Sequence, residues 1–258
     1  MRRSRRSFGA VYAIVSALVI LLAVFGGVTV FFRLEQYEIV GTTRYSRTDI
    51  INATGLSKGD NLYFFNKFSV QEDFCRELPY VGSVRLTRRL PKTLVITLSE
   101  TEAAAAIADG GAYVLIDPEG KVLERSAAPG DAAVVTGVTV TEAIPGEPVR
   151  YEISRQEDTL REIFRVLREH GLLHSVDSIT LSGAYDVTAT YMGKVEIRLG
   201  LAGTRTDRKI RALGKILDEL PEDSAGVLDM TGEDYRFLPA AAAPSPTPTV
   251  SPEPTPEG

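Results

Sequence analysis

The 258-residue chain has no tryptophan, one cysteine and two histidines. With Cys75 as the single cysteine, no intramolecular disulfide can form, so an exported domain would have to rely on its apolar core. Cys75 lies beside Phe74 in "SVQEDFCRELPYV", on a predicted helix. This is the setting of a small buried hydrophobe rather than of a reactive thiol. His170 and His174 have the i, i+4 spacing of a zinc pair on a helix face. Gly171 between them is expected to end the helix first, and no cysteine or carboxylate motif accompanies them. No metal site and no cofactor are predicted. Neither histidine lies in a triad context, and "GLSKG" and "GLAG" read as glycine turns rather than phosphate loops. Asp158 with Glu162, and Asp218 with Glu219, fall on the polar faces of amphipathic helices, where solvation explains them. No catalytic residue is assigned, and the chain is expected not to be an enzyme.

Positive charge is also scarce outside the N-terminus. With Arg2, Arg3, Arg5 and Arg6 set aside, 25 basic residues face 34 acidic ones, a balance of −9. An acidic body is a poor match for nucleic acid, which needs clustered positive charge, so no nucleic-acid partner is expected.

What the sequence does have is an uncharged run over residues 8–32, "FGAVYAIVSALVILLAVFGGVTVFF". A bilayer core about 30 Å thick needs roughly 20 helical residues, whereas the apolar region of a signal peptide is about 7–15. The run is therefore expected to be an uncleaved transmembrane helix in contact with the lipid bilayer. The four preceding arginines place residues 1–7 in the cytoplasm by the positive-inside rule, and the remainder outside.

Beyond the anchor, "YEIVG" reads as a strand closed by Gly41. "SRTDIINATGL" reads as a helix with Ser46 as N-cap and Asp49 three residues on. The sequon Asn52-Ala53-Thr54 is too short a match to carry weight. Ser69 is expected to open a second helix that Pro79 stops. Val84 and Leu86, then Leu94, Ile96 and Leu98, alternate as two strands with one buried face. "TRRLPK" reads as the polar connector between them, since Pro91 cannot donate to a ladder. The pattern β-α-α-β-β predicts a small α+β unit.

From residue 101 the sequence predicts a second, mixed or antiparallel β domain. "AYVLIDPEGKVLER" is a hairpin about Asp117-Pro118-Glu119-Gly120, and Leu160, Ile163, Phe164 and Leu167 mark a helix ended by Gly171. "VDSITLS", "AYDVTATYM" and "KVEIRLG" are strands, with Met192-Gly193 linking the last two. A second helix carries Ile210, Leu213, Ile216, Leu217 and Leu220, and "AGVLDM" and "YRFLP" close the domain. Residues 240–258, rich in proline, serine and threonine, form a tail expected to be disordered, serving as a spacer or as a ligand for a partner.

Three stretches resemble the FtsQ/DivIB family of bacterial division proteins. In residues 78–100 the pattern is carried by Pro79, Val81, Val84, Arg88, Pro91, Leu94, Ile96 and Glu100. Upstream, "YEIVGTTRYSRTDIINATGLSKGDNLYFFN" is similar to the start of the family's POTRA domain, and "YVLIDPEGKVLER" to its Val-Asp-x-x-Gly hairpin. "TEAAAAIA" departs from the family, which often has a proline there. The tail, the acidic body and the lack of disulfides fit the DivIB side.

The resemblance implies a transmembrane helix (8–32), a POTRA domain (33–100) and a β domain (101–239). It implies a non-enzymatic divisome scaffold at the septum that binds FtsL-like and DivIC/FtsB-like coiled-coil proteins, and through them the septal transpeptidase and synthase. The segment matching the family's partner-binding edge is 226–239, making Tyr235, Arg236 and Phe237 candidate contacts, with Phe237 equally able to fill the core. Arg88 and Arg89 are further candidates. The alternatives are a wall-modifying enzyme and a POTRA-type chaperone or transport component.

Overall fold

In the computed structural model the long apolar run is one helix, α1 (Ser7–Phe31). At about 1.5 Å per residue its length exceeds a bilayer's hydrocarbon core. Over Val11–Phe31 no side chain is buried against the rest of the chain, so its apolar surface calls for an apolar solvent. The structure describes residues 7–41, 44–183, 185–201, 206–221 and 224–240. The N-terminal arginines and nearly all of the proline-rich tail lie outside the described residues. The chain divides into one unit of Met1–Gly130 with Val140–Glu152 and another of Asp131–Thr139 with Ile153–Gly258.

The first unit contains the expected β-α-α-β-β order: β1 (Gln36–Val40), α2 (Arg47–Ala53), α3 (Lys67–Glu77), β2 (Val81–Arg89) and β3 (Thr93–Glu100). The sheet order is β1-β3-β2, with β1 parallel and β2 antiparallel to β3. Ile50 of α2 and Phe74 of α3 pack with Leu86, Leu94 and Ile96 from one sheet face, all nearly inaccessible. Ser46 caps α2 as expected: its Oγ accepts from Asp49 N at 3.2 Å, and Asp49 Oδ2 accepts from Ser46 N at 3.1 Å.

Two expectations are corrected here. Helix α3 starts at Lys67, not Ser69, because Asn66 Oδ1 accepts from Phe68 N at 3.0 Å and supplies the cap upstream of the serine. Arg88 and Arg89 belong to β2, opposite Leu94 and Thr93. The connector shrinks to Leu90-Pro91-Lys92, which leaves Pro91 outside the ladder; the Leu90–Pro91 peptide is cis.

The same unit continues through β4 (Ala105–Asp109), β5 (Ala112–Ile116) and β6 (Val122–Ser126), an antiparallel set. The Asp117 turn is tightly held: its Oδ1 accepts from the backbone N–H of Glu119 at 3.0 Å and of Lys121 at 2.9 Å. After β7 (Ala133–Thr136), which belongs to the second unit, a two-stranded ribbon of β8 (Val140–Glu142) and β9 (Arg150–Tyr151) follows.

The second unit comprises β7, α4 (Ser154–Glu169), a 3-10 turn (Leu173–Ser175), β10 (Val176–Ser182), β11 (Asp186–Tyr191), β12 (Val195–Leu201), α5 (Thr206–Glu219), β13 (Gly226–Asp229) and β14 (Arg236–Pro239). The strand order is β7-β10-β11-β12-β13-β14. The two parallel pairs, β7 with β10 and β12 with β13, are those joined through α4 and α5, as parallel neighbours require. The helices touch each other, and α4 buries Leu160, Ile163, Phe164 and Leu167 as the spacing predicts. Met192 and Gly193 both have positive φ (49° and 65°), the conformation of a two-residue hairpin turn.

Candidate functional site

Strand β14 pairs antiparallel with β13, matching Asp229 with Arg236, Leu228 with Phe237 and Val227 with Leu238. Ala240 N donates to Ala225 O at 2.8 Å. The alternation of an antiparallel ladder then turns the N–H groups of Arg236 and Leu238 towards β13 and that of Phe237 away from it. Among the described residues β14 is the last strand of its sheet order, so its far side offers the Tyr235 and Phe237 backbone groups and the Pro239 carbonyl. Pro239 has no N–H to donate, which limits the length over which another strand can pair.

The side chains follow the same two-sided logic. Arg236 and Leu238 are exposed, while Tyr235 and Phe237 are half-buried. The Phe237 ring lies over Gly226, where an added Cβ would come within 3.0 Å of its Cζ, so its ring packs while its backbone faces out. The Asp229 carboxyl is held below the usual carboxylate range, first by the Thr231 hydroxyl at 2.7 Å, then by the Thr231 N–H and by Arg198 and Arg236 nearby.

The outer strand of the β4–β6 set is covered at its first residue, where Val122 N donates to Glu147 O and Gly146 N to Val122 O, both at 2.8 Å. An unpaired strand edge is a template for another chain, and proteins usually cover it.

Arg88 and Arg89 are not part of this edge. The Arg88 guanidinium lies 4.7 Å from the Phe65 ring and 5.7 Å from the Tyr63 ring, and donates to Phe65 O at 3.3 Å. It is a packing residue of the POTRA-like sheet. Arg89 pairs with Glu38 across the sheet at a solvent-exposed position, an interaction worth little.

Other candidate chemistry disperses. His170 caps the end of α4, Gly171 takes φ +70°, and His174 falls in the 3-10 turn, so the pair does not share a helix face. Among the described residues no group of three or more His, Cys, Asp or Glu is placed to hold a metal. "GLSKG" has G-x-S-x-G spacing at Gly55, Ser57 and Gly59, which the reading as a plain turn overlooks. It follows a helix rather than linking a strand to one, and both histidines belong to the other unit. Cys75 is half-buried against the core, and burial pushes its thiol up, which disfavours the thiolate form. A cleft of about 500 Å³ between the β11–β12 turn and the end of α5 is lined mainly by apolar side chains, including Tyr191, Met192, Leu217 and Pro221.

An N-terminal helix fit to span a membrane, a POTRA fold and a β-rich domain with an open terminal strand define a membrane-anchored POTRA protein. Comparison with known proteins narrows the class. Residues 32–101 match the POTRA domain of FtsQ type, and residues 105–231 match the C-terminal domain of cell division protein FtsQ/DivIB. The chain is 30% identical over 213 residues to cell division protein FtsQ of Geobacter sp. (strain M21), covering 80% of this chain and 74% of that protein. It is 23% identical over 207 residues to DivIB of Clostridium botulinum, covering 79% and 80%. With FtsQ of Corynebacterium glutamicum the identity is 30% over 131 residues, 49% of this chain and 59% of that protein. The chain belongs to the FtsQ/DivIB family of cell division proteins.

Proposed function

We propose that this chain is a non-enzymatic assembly protein of the division machinery. Its N-terminus lies in the cytoplasm, and its POTRA domain (33–100) and β domain (101–239) lie outside, concentrated at the septum. There it binds FtsL-like and DivIC/FtsB-like coiled-coil proteins, and through them helps organise the septal transpeptidase and synthase. The observation that carries this reading is the open β14 edge, since extended segments bind by adding a strand to such an edge. Main-chain pairing supplies the affinity there, and the exposed Arg236 and Leu238 side chains beside it supply selectivity. The four N-terminal arginines support the orientation. A fluorescently tagged copy is expected at mid-cell, with filamentous cells on depletion. Uniform membrane staining with normal division on depletion contradicts the reading.

A further inference from the structure

The aromatic segment "NLYFFNKF" (61–68) runs back alongside the end of α1. Leu62 N donates to Phe32 O at 2.8 Å, and Leu34 N to Asp60 O at 2.7 Å. Asn61 Nδ2 donates to Val28 O at 2.9 Å, a carbonyl of the last helical turn that also accepts from Phe32 N at 3.3 Å. Two ring pairs extend the contact: Phe32 with Tyr63 edge-on at 5.0 Å, and Phe25 with Phe64 at 5.7 Å. Phe25 sits within the apolar span Val11–Phe31, six residues before its end, or about 9 Å along the helix axis. A ring that touches Phe25 therefore lies at the depth of the span itself.

The neighbouring residues are sorted by this geometry. Phe65 turns inward against the core and is held by Arg88, whereas Phe64 and Phe68 remain 58% and 76% exposed. Large apolar side chains left out in this way mark an interaction surface. Of the nearby cations, Arg88 is engaged with the Phe65 carbonyl and ring, Arg89 with Glu38 and Lys92 with Glu35, while Lys67 lies within the segment itself.

We infer that this turn is a second membrane contact, in which Phe64 and Phe68 enter the lipid interface of the leaflet that α1 leaves and seat the POTRA domain on it. The inference rests on α1 being the membrane span. An apolar face that carries phenylalanine lies at this level of a bilayer without crossing it. The two exposed rings carry the contact, so it is apolar in character, and Lys58 and Lys67 only add attraction where headgroups are anionic. It does not depend on anionic headgroups and survives a rise in salt from about 0.1 to about 1 M, which removes screened surface attraction.

Because the chain has no tryptophan, Phe64→Trp, Phe68→Trp and Phe25→Trp each provide a single reporter in the full-length protein in phosphatidylcholine vesicles. Phe64→Trp and Phe68→Trp should both lose most of their emission when the lipid chains are brominated and be shielded from aqueous iodide. Phe25→Trp supplies the depth reference. If Phe25→Trp is lipid-quenched while the other two are as open to iodide as free tryptophan amide, the second contact is overturned and the span stands. If Phe25→Trp is itself open to iodide, both fall. Shielding of Phe64→Trp that requires an added protein partner also overturns the lipid as its occupant.

Discussion

Gly226→Ala should loosen the β14 edge without altering any residue of it. A Cβ at position 226 would lie 2.2 Å from the Leu238 carbonyl oxygen and 3.0 Å from its carbonyl carbon. Those are backbone atoms of the neighbouring strand, so no rotamer change relieves the clash. Restoring an ordinary contact near 3.5 Å moves β14 by about 1 Å. That is enough to carry a bond such as Ala240 N to Ala225 O, at 2.8 Å, beyond hydrogen-bonding range. The N–H groups of Arg236, Leu238 and Ala240 face β13, and each bond contributes about 0.5–1.5 kcal/mol net.

The loss falls on a terminal strand, so it should appear as local opening rather than as global unfolding. A local loss of about 1–3 kcal/mol corresponds to roughly 5- to 150-fold faster amide exchange. Hydrogen exchange read at the Arg236 and Leu238 amides is the assay. Gly232→Ala is the control, since the nearest atoms to its Cβ lie 3.9 Å away. Unchanged protection in Gly226→Ala would refute the close approach of the two strands and the packing account built on it.

Three further outcomes follow from the first unit. Phe74→Ala removes a fully buried ring from the POTRA core and should cost about 3–5 kcal/mol in urea unfolding of residues 33–240; a loss under about 1 kcal/mol would contradict that core. Ser46→Ala removes the acceptor for Asp49 N and should cost about 1 kcal/mol, read as a shift in urea midpoint at constant slope. Asp117 is buried, and burial pushes its carboxyl above the usual 3.8 despite the Lys121 N–H and charge. Its contribution to stability is therefore full below about pH 3.8 and lost as pH rises through the folded-state value. Asp117→Asn should remove that decline, and an unchanged stability–pH slope would contradict it.

The elements most legible in the sequence are those with one face buried and the other not. Alternation at Leu94, Ile96 and Leu98, helical spacing at Leu160, Ile163, Phe164 and Leu167, and the Ser46–Asp49 cap each specify their element locally. Strand β4 escapes such reading because Ala104, Ala105, Ala106 and Ile107 are all buried and so carry no alternation. The β8–β9 ribbon is too short to show a pattern. Arg88 and Arg89 read as a solvated turn because charge suggests exposure. The Arg88 guanidinium instead packs on aromatic rings, an arrangement that depends on the position of a segment more than twenty residues away in sequence. At the β14 edge the residue types are visible, but which backbone groups face outward depends on register against β13, and that is a tertiary fact.

The most direct test of the proposed partner-binding edge is amide exchange at Phe237 in residues 33–240, alone and with the proposed coiled-coil partner. The expected result is an amide that exchanges freely alone and is protected on binding. Phe237→Pro, which removes only an outward-facing N–H from the ladder, should then weaken binding well beyond Phe237→Ala. A complex that forms with Phe237 exchange unchanged, and that tolerates proline as well as alanine there, would contradict strand addition at β14.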